Sequence, residues 1–279
     1  MSIRTAIILA GATLFGLVWL AAEALSETDS EWVARAPDAA KSRQHPVYRE
    51  VRDISLARPN AAFEVDGGES GGAEVRGGDG DRVQIHARVE ASGETAAQAE
   101  ELAHQVKIVA HETDLRPEGP EQHGARHWSV IFRMDVPRRM DLKVTAKNGP
   151  VSVQDLDGTL ELRVQNGPLA LTDLAGNVWA RVQNGPLAVQ LTGNQWHGKR
   201  LDAETVNGPV ELRLPERYNA DLEFGSLTGP QAVRLASQSS ARLGSGRRLK
   251  EQLGTGGPLV RVVTTNGPAA LKSGGHDLE

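Results

Sequence analysis

The octapeptide Arg-Val-Gln-Asn-Gly-Pro-Leu-Ala occurs twice without a change, at residues 163–170 and 181–188, eighteen residues apart. Its Asn-Gly-Pro core recurs at Asn148, Asn166, Asn184, Asn207 and Asn266, and Thr228-Gly229-Pro230 and Gly256-Gly257-Pro258 read as degenerate copies. Aligning the first three copies on the asparagine puts Val144/Ala146, Leu162/Val164 and Ala180/Val182 on one face before it. Val151/Val153, Leu169/Leu171 and Leu187/Val189 share one face after it. Each repeat is therefore two short alternating strands. One turn is Asn-Gly-Pro. The other is Asp-Leu-Asp-Gly (155–158) or Asp-Leu-Ala-Gly (173–176).

Two architectures accept such a unit. In an antiparallel meander Asn-Gly makes hairpin turns. In a solenoid each unit is one coil, stacked about 4.8 Å from the last. Identity at i+18 favours the solenoid, because residue i then lies over residue i+18 and like stacks on like. Asn148, Asn166, Asn184, Asn207 and Asn266 would form an amide ladder at the corner. Proline lacks an N–H and suits the first position of the following strand, and the glycine before it can take angles closed to other residues. The expected fold is thus mainly β, a parallel solenoid of two-strand coils over 138–272, with a tail at 273–279.

Composition agrees with a sheet. Hydrophobic residues are 39% of the chain but aromatics only 4%, so the core is aliphatic. The absence of cysteine excludes disulfides, thiolate metal sites and cysteine nucleophiles. A net charge of −5 argues against a broad nucleic-acid surface.

Before the repeats the pattern differs. Arg4 precedes an uncharged apolar run at 6–22, and Glu23, Glu27, Asp29 and Glu31 follow it. This is a targeting segment that places the body on the non-cytoplasmic side. Ala22-Glu23-Ala24 fits a cleavage site, giving a signal peptide at 1–24, while the length of the run also suits a retained membrane anchor. Residues 25–60 read as a linker, being polar with Pro37, Pro46 and Pro59. Residues 61–137 read as a small α+β cap for the open edge of the first coil. It has a strand at 82–90, a helix over 96–106 packed beside that coil, and a strand through Trp128, Val130, Phe132 and Met134.

A targeting segment, a strand–helix–strand unit, "MDVPRRMDLKVTAKNGPVSV" and repeats of x-V-x-N-G-P-V-x-V-x-x-L-x-G together resemble the bacterial "putative adhesin" family of repetitive β-solenoid proteins. The resemblance covers about residues 60–272. It implies an exported or membrane-tethered protein of the periplasm or cell envelope, and brings no catalytic residues or cofactor with it.

Catalysis on a β-helix needs acids or a metal converging on one groove. The candidates Asp155, Asp157 and Asp173 all sit in the turn, where aspartate commonly bonds nearby backbone N–H groups, and the third copy has Leu191 in place of Asp173. His123 and His127 have helical spacing for zinc, but Gly124 and Pro120 argue against a helix and no third ligand is visible. The acidic, glycine-rich stretch 66–81 could hold a cation loosely, but it reads first as a flexible loop.

The outward ladders offer more. Lys143, Glu161, Trp179 and Asp202 should share one, and Thr145, Arg163, Arg181 and Glu204 the next. Trp179 beside Arg163 and Arg181 would form a platform for a sugar ring or acidic glycan, unless the insertion carrying Trp196 and His197 covers it. Trp196 is itself a candidate member. The other outward face, with Ser152, Ala170, Ala188, Gln154, Thr172 and Gln190, is flat and nearly uncharged, suited either to packing against the N-terminal cap or to contact with another protein. The expectation is an exported, non-catalytic structural or binding surface, partnered by an envelope protein or glycan and by the membrane if the N-terminal helix is kept. The alternative is a polysaccharide-acting β-helix enzyme.

Overall fold

The eighteen-residue period becomes parallel strand pairing. In the computed structural model, which describes residues 45–234, 242–246 and 248–274, strand β8 (Leu142–Asn148) lies beside β10 (Asp157–Asn166), and β10 beside β12 (Ala175–Asn184). Leu162 is paired with Val144 and Ala180, and Asn166 with Asn148 and Asn184. The short strands β9 (Val151–Gln154), β11 (Leu169–Thr172) and β13 (Leu187–Gln190) pair in the same register in a second sheet. Strands β14 (Arg200–Asn207) and β15 (Val210–Leu214) add one more layer to each. Apolar residues from both sheets fill one core, including Leu160, Leu162, Leu169 and Leu171.

The chain is mainly β, but it forms two large mixed sheets and not a closed solenoid. Antiparallel strands bound the parallel stack at both ends. At the C-terminal end, β16 (Ala220–Ser226) and β17 (Pro230–Arg234) are paired antiparallel with β19 (Leu249–Leu253) and β18 (Arg242–Ser245). The last strands, β20 (Leu259–Asn266) and β21 (Ala269–Ser273), slot between β14/β15 and β16/β17. Spatial order therefore departs from chain order. Thr228-Gly229-Pro230 is a corner beyond Asn266, and Gly256-Gly257-Pro258 is only the turn leading into β20.

The N-terminal half corrects three expectations. Within 25–60, read as a linker, Val47–Ala57 forms strand β1, antiparallel to β4 (Arg82–Ser92). The stretch 66–81, read as a flexible loop, contains β3 (Gly71–Gly78), a central strand between β9 and β7 (His127–Pro137). Gly72 and Gly77 are required there, since a Cβ on Gly72 would lie 1.9 Å from the Pro150 carbonyl oxygen and one on Gly77 2.0 Å from that of Asp155. Helix α1 (Ala96–Gln105) starts where Thr95 Oγ1 accepts from the Gln98 amide at 3.2 Å. It packs on β4 and β1 through Ala99, Leu102 and Ala103, not beside the first repeat. What continues the repeats is more strand: β3 pairs with β9, and β2 (Phe63–Asp66) with β8. The targeting segment at 1–24 lies outside the described residues, and among the described residues no helix is long and apolar enough to cross a membrane.

Candidate functional site

At the corner, the amides form a continuous chain of hydrogen bonds. Asn166 Nδ2 donates to Asn148 Oδ1 at 2.8 Å, and Asn184 Nδ2 to Asn166 Oδ1 at 2.8 Å. Asn207 donates to Asn184 and Asn266 to Asn207, each at 2.9 Å. The ends are tied as well: Asn148 donates to the Glu69 carbonyl, and Thr228 Oγ1 donates to Asn266 Oδ1. The next residue must be glycine, because a Cβ on Gly185 would lie 2.1 Å from the Gly167 carbonyl oxygen. This row is a framework, each amide donating one N–H to its neighbour and accepting one from the next.

The other turn stacks Asp155 on Asp173, both with positive φ, 58° and 49°. Aspartate tolerates that region better than most residues. Burial raises the Asp155 carboxyl above its ordinary value, and its hydrogen bond to Asp173 and the charge there raise it further, against the pull of Arg138 and Arg76. Thr192 Oγ1 donates to Asp173 Oδ1. His123 sits in a tight turn closed by bonds to Arg126, while His127 begins β7, so the two do not share a helix. Among the described residues no group of three or more His, Asp or Glu is placed to hold a metal ion.

The outward face of β10, β12 and β14 carries Trp179. Its side chain is 39% exposed, so the insertion does not cover it. The Arg163 guanidinium carbon lies 5.3 Å from the ring centroid and that of Arg181 4.8 Å, within cation–π range. Arg163 comes from the preceding repeat, level with Arg181, and pairs with Glu161 at 2.6 Å. Trp196 does not join them. It is buried and donates from Nε1 to the Gly176 carbonyl at 3.1 Å, anchoring the insertion to the core.

Asp202 holds the platform from one side. It is buried and accepts from Arg181 at 3.2 Å, Arg200 at 2.6 Å and Arg261 at 2.7 Å. Burial alone would raise its carboxyl; the hydrogen bonds from Arg261 and Arg181 overcome that and hold it below the ordinary value. Arg261 also bonds Glu204 at 2.9 Å. Counting back five residues from each corner asparagine gives Lys143, Glu161, Trp179, Asp202 and Arg261. Extending the alignment to Asn266 would thus have placed Arg261 beside Asp202 in advance.

The fold and site define a mainly β chain with a paired cation–aromatic surface. No family model matches the chain, and no curated protein matches it. Among solved structures it is similar to a putative cell adhesion protein from Clostridium sporogenes, with 10% identity and a TM-score of 0.39 over 81% of this chain and 99% of that one. It is also similar to a putative adhesin from Bacteroides fragilis, at 9% identity and a TM-score of 0.25 over 81% of this chain and 97% of the other. A putative lipid binding protein from Parabacteroides distasonis shares 8% identity and a TM-score of 0.31 over 80% and 97%. These likenesses assign no residue a role.

Proposed function

We propose that the chain is an exported, non-catalytic, adhesin-like binding protein of the cell envelope that takes an acidic glycan on the platform of Trp179, Arg163 and Arg181. In this reading residues 1–24 target or anchor the chain. Residues 61–137 cap a solenoid-like stack of coils at 138–272, and the stack acts as a ruler that holds outward side chains at strand spacing. The observation that carries it is the exposed Trp179 ring with guanidinium groups from two adjacent repeats within cation–π distance of it. Such a ring supplies an apolar face for a sugar, and the arginines supply forked donors for its carboxylates. The stacked aspartates favour this reading over an enzyme of polysaccharides. They lie in turns with left-handed backbone, and Asp173 is already bonded to Thr192.

Calorimetric titration of a uronic-acid polysaccharide into wild type and Trp179→Ala tests it. Loss of an aromatic stacking contact of about 1–2 kcal/mol corresponds to roughly tenfold weaker binding. Arg163→Gln should weaken binding less in high salt than in low. Equal affinities for wild type and Trp179→Ala at matched stability would overturn the reading.

A further inference from the structure

Among the described residues, strand β1 ends the larger sheet, paired on one side with β4. The Gly93 amide donates to the Pro46 carbonyl at 3.3 Å, which fixes the phase of that pairing. The alternation of an antiparallel ladder then turns the backbone groups of Tyr48, Glu50, Arg52, Ile54 and Leu56 toward β4. Those of Val47, Arg49, Val51, Asp53 and Ser55 point outward from the sheet. This is an eleven-residue edge, and Val47 and Val51 on it are 45% and 36% exposed. Edges of such length ordinarily carry a blocking device or a partner.

We propose that β1 pairs with β1 of a second copy of this chain, antiparallel about a two-fold axis through Val51. That register sets outward backbone groups against outward backbone groups. It also matches charges on both faces of the strand. Arg49 meets Asp53 of the second copy, Glu50 meets Arg52, Tyr48 meets Ile54, and Val51 meets Val51. Within one chain Arg49 already pairs with Glu90 at 2.8 Å and Asp53 with His86 at 2.6 Å. The dimer therefore continues a ladder of Glu90, Arg49, Asp53 and His86 across the axis. Moving the axis one residue toward either end sets Glu50 against Glu50 or Arg52 against Arg52, and like charges directly opposite are destabilising. Continuous sheet across the axis is an isologous contact, the commonest closed symmetry. It leaves the Trp179 face, which belongs to the other sheet, free in both copies.

The test uses the purified full-length chain and its lack of cysteine. Sedimentation equilibrium should give the mass of two chains for wild type, and of one chain for Val51→Lys, which sets two ammonium groups together across the axis at an exposed position. Under mild oxidation Val51→Cys should form a covalent dimer, because directly opposed Cα atoms lie about 5.5 Å apart, within disulfide reach. Arg49→Cys should not, because the two copies of residue 49 are offset by four residues, about 14 Å along the strands. A wild-type mass of one chain overturns the proposal and leaves the edge to another segment of the same chain. Cross-linking of Arg49→Cys equal to that of Val51→Cys overturns the register.

Discussion

Asn184 Nδ2 lies 2.8 Å from Asn166 Oδ1, eighteen residues before it, and Asn166 makes the same bond to Asn148. Each amide in the row is at once donor and acceptor, so removing one breaks two bonds and removing two neighbours breaks three, not four. Asn166→Ala and Asn184→Ala should each lower stability by about 1–2 kcal/mol, and the double variant by less than their sum. Chemical denaturation of the four proteins measures the coupling. Additive effects would mean that the amides do not act as a row.

Asp202 makes a second, electrostatic tie between repeats. Replacing it by Asn removes the charge from three arginine contacts and should cost about 1.5–3 kcal/mol at neutral pH. Its carboxyl is depressed in the folded chain, so its contribution is present above the unfolded value near pH 4 and is lost as the pH falls through the folded value. Melting curves of wild type and Asp202→Asn should therefore converge in acid and separate above about pH 4.

Asp155 should behave with the opposite sign. Its carboxyl is raised by burial and by Asp173. The stability it contributes is full below its unfolded value and is lost as the pH rises through the folded value. Ionisation of Asp155 beside Asp173 therefore opposes the fold as the pH rises. Asp155→Asn keeps a residue that accepts positive φ and should raise the melting temperature at pH 7, with no gain near pH 3. A neutral-pH loss instead would show that the turn needs the charge.

The repeat was legible because stacking demands like on like, and the demand is written as letters at fixed spacing. Val164 beside Val182 and Asn166 beside Asn184 follow from the period alone. Strand β1 was not legible, because Tyr48, Ile54 and Leu56 are only half-buried and alternate with charges, as suits an edge. The Gly-rich β3 carries little side-chain pattern, since its backbone must lie against Pro150 and Asp155. The placement of β20 ahead of β16 escaped the period as well, because a hairpin return can insert strands out of chain order. Of the platform, Trp179, Arg163 and Arg181 came from the ladder register. Trp196 did not belong, since a tryptophan in an insertion can as readily turn inward to anchor it.

Eighteen residues form one stacking unit that carries its outward side chains as cargo. Deleting Gly167 through Asn184 joins Asn166 to Gly185 and rebuilds the corner with the same residues. It sets Val164 beside Thr205 in place of Val182. Small-angle scattering with thermal unfolding on this variant is the direct measurement. The expected result is a cooperatively folded chain shorter by one strand spacing, about 4.8 Å, that no longer binds the acidic glycan because Trp179 and Arg181 have left with the unit. A nine-residue deletion of 167–175 should not fold. If both deletions unfold alike, eighteen residues are not a stacking unit, and if the shorter chain keeps full glycan affinity, the platform is not its cargo.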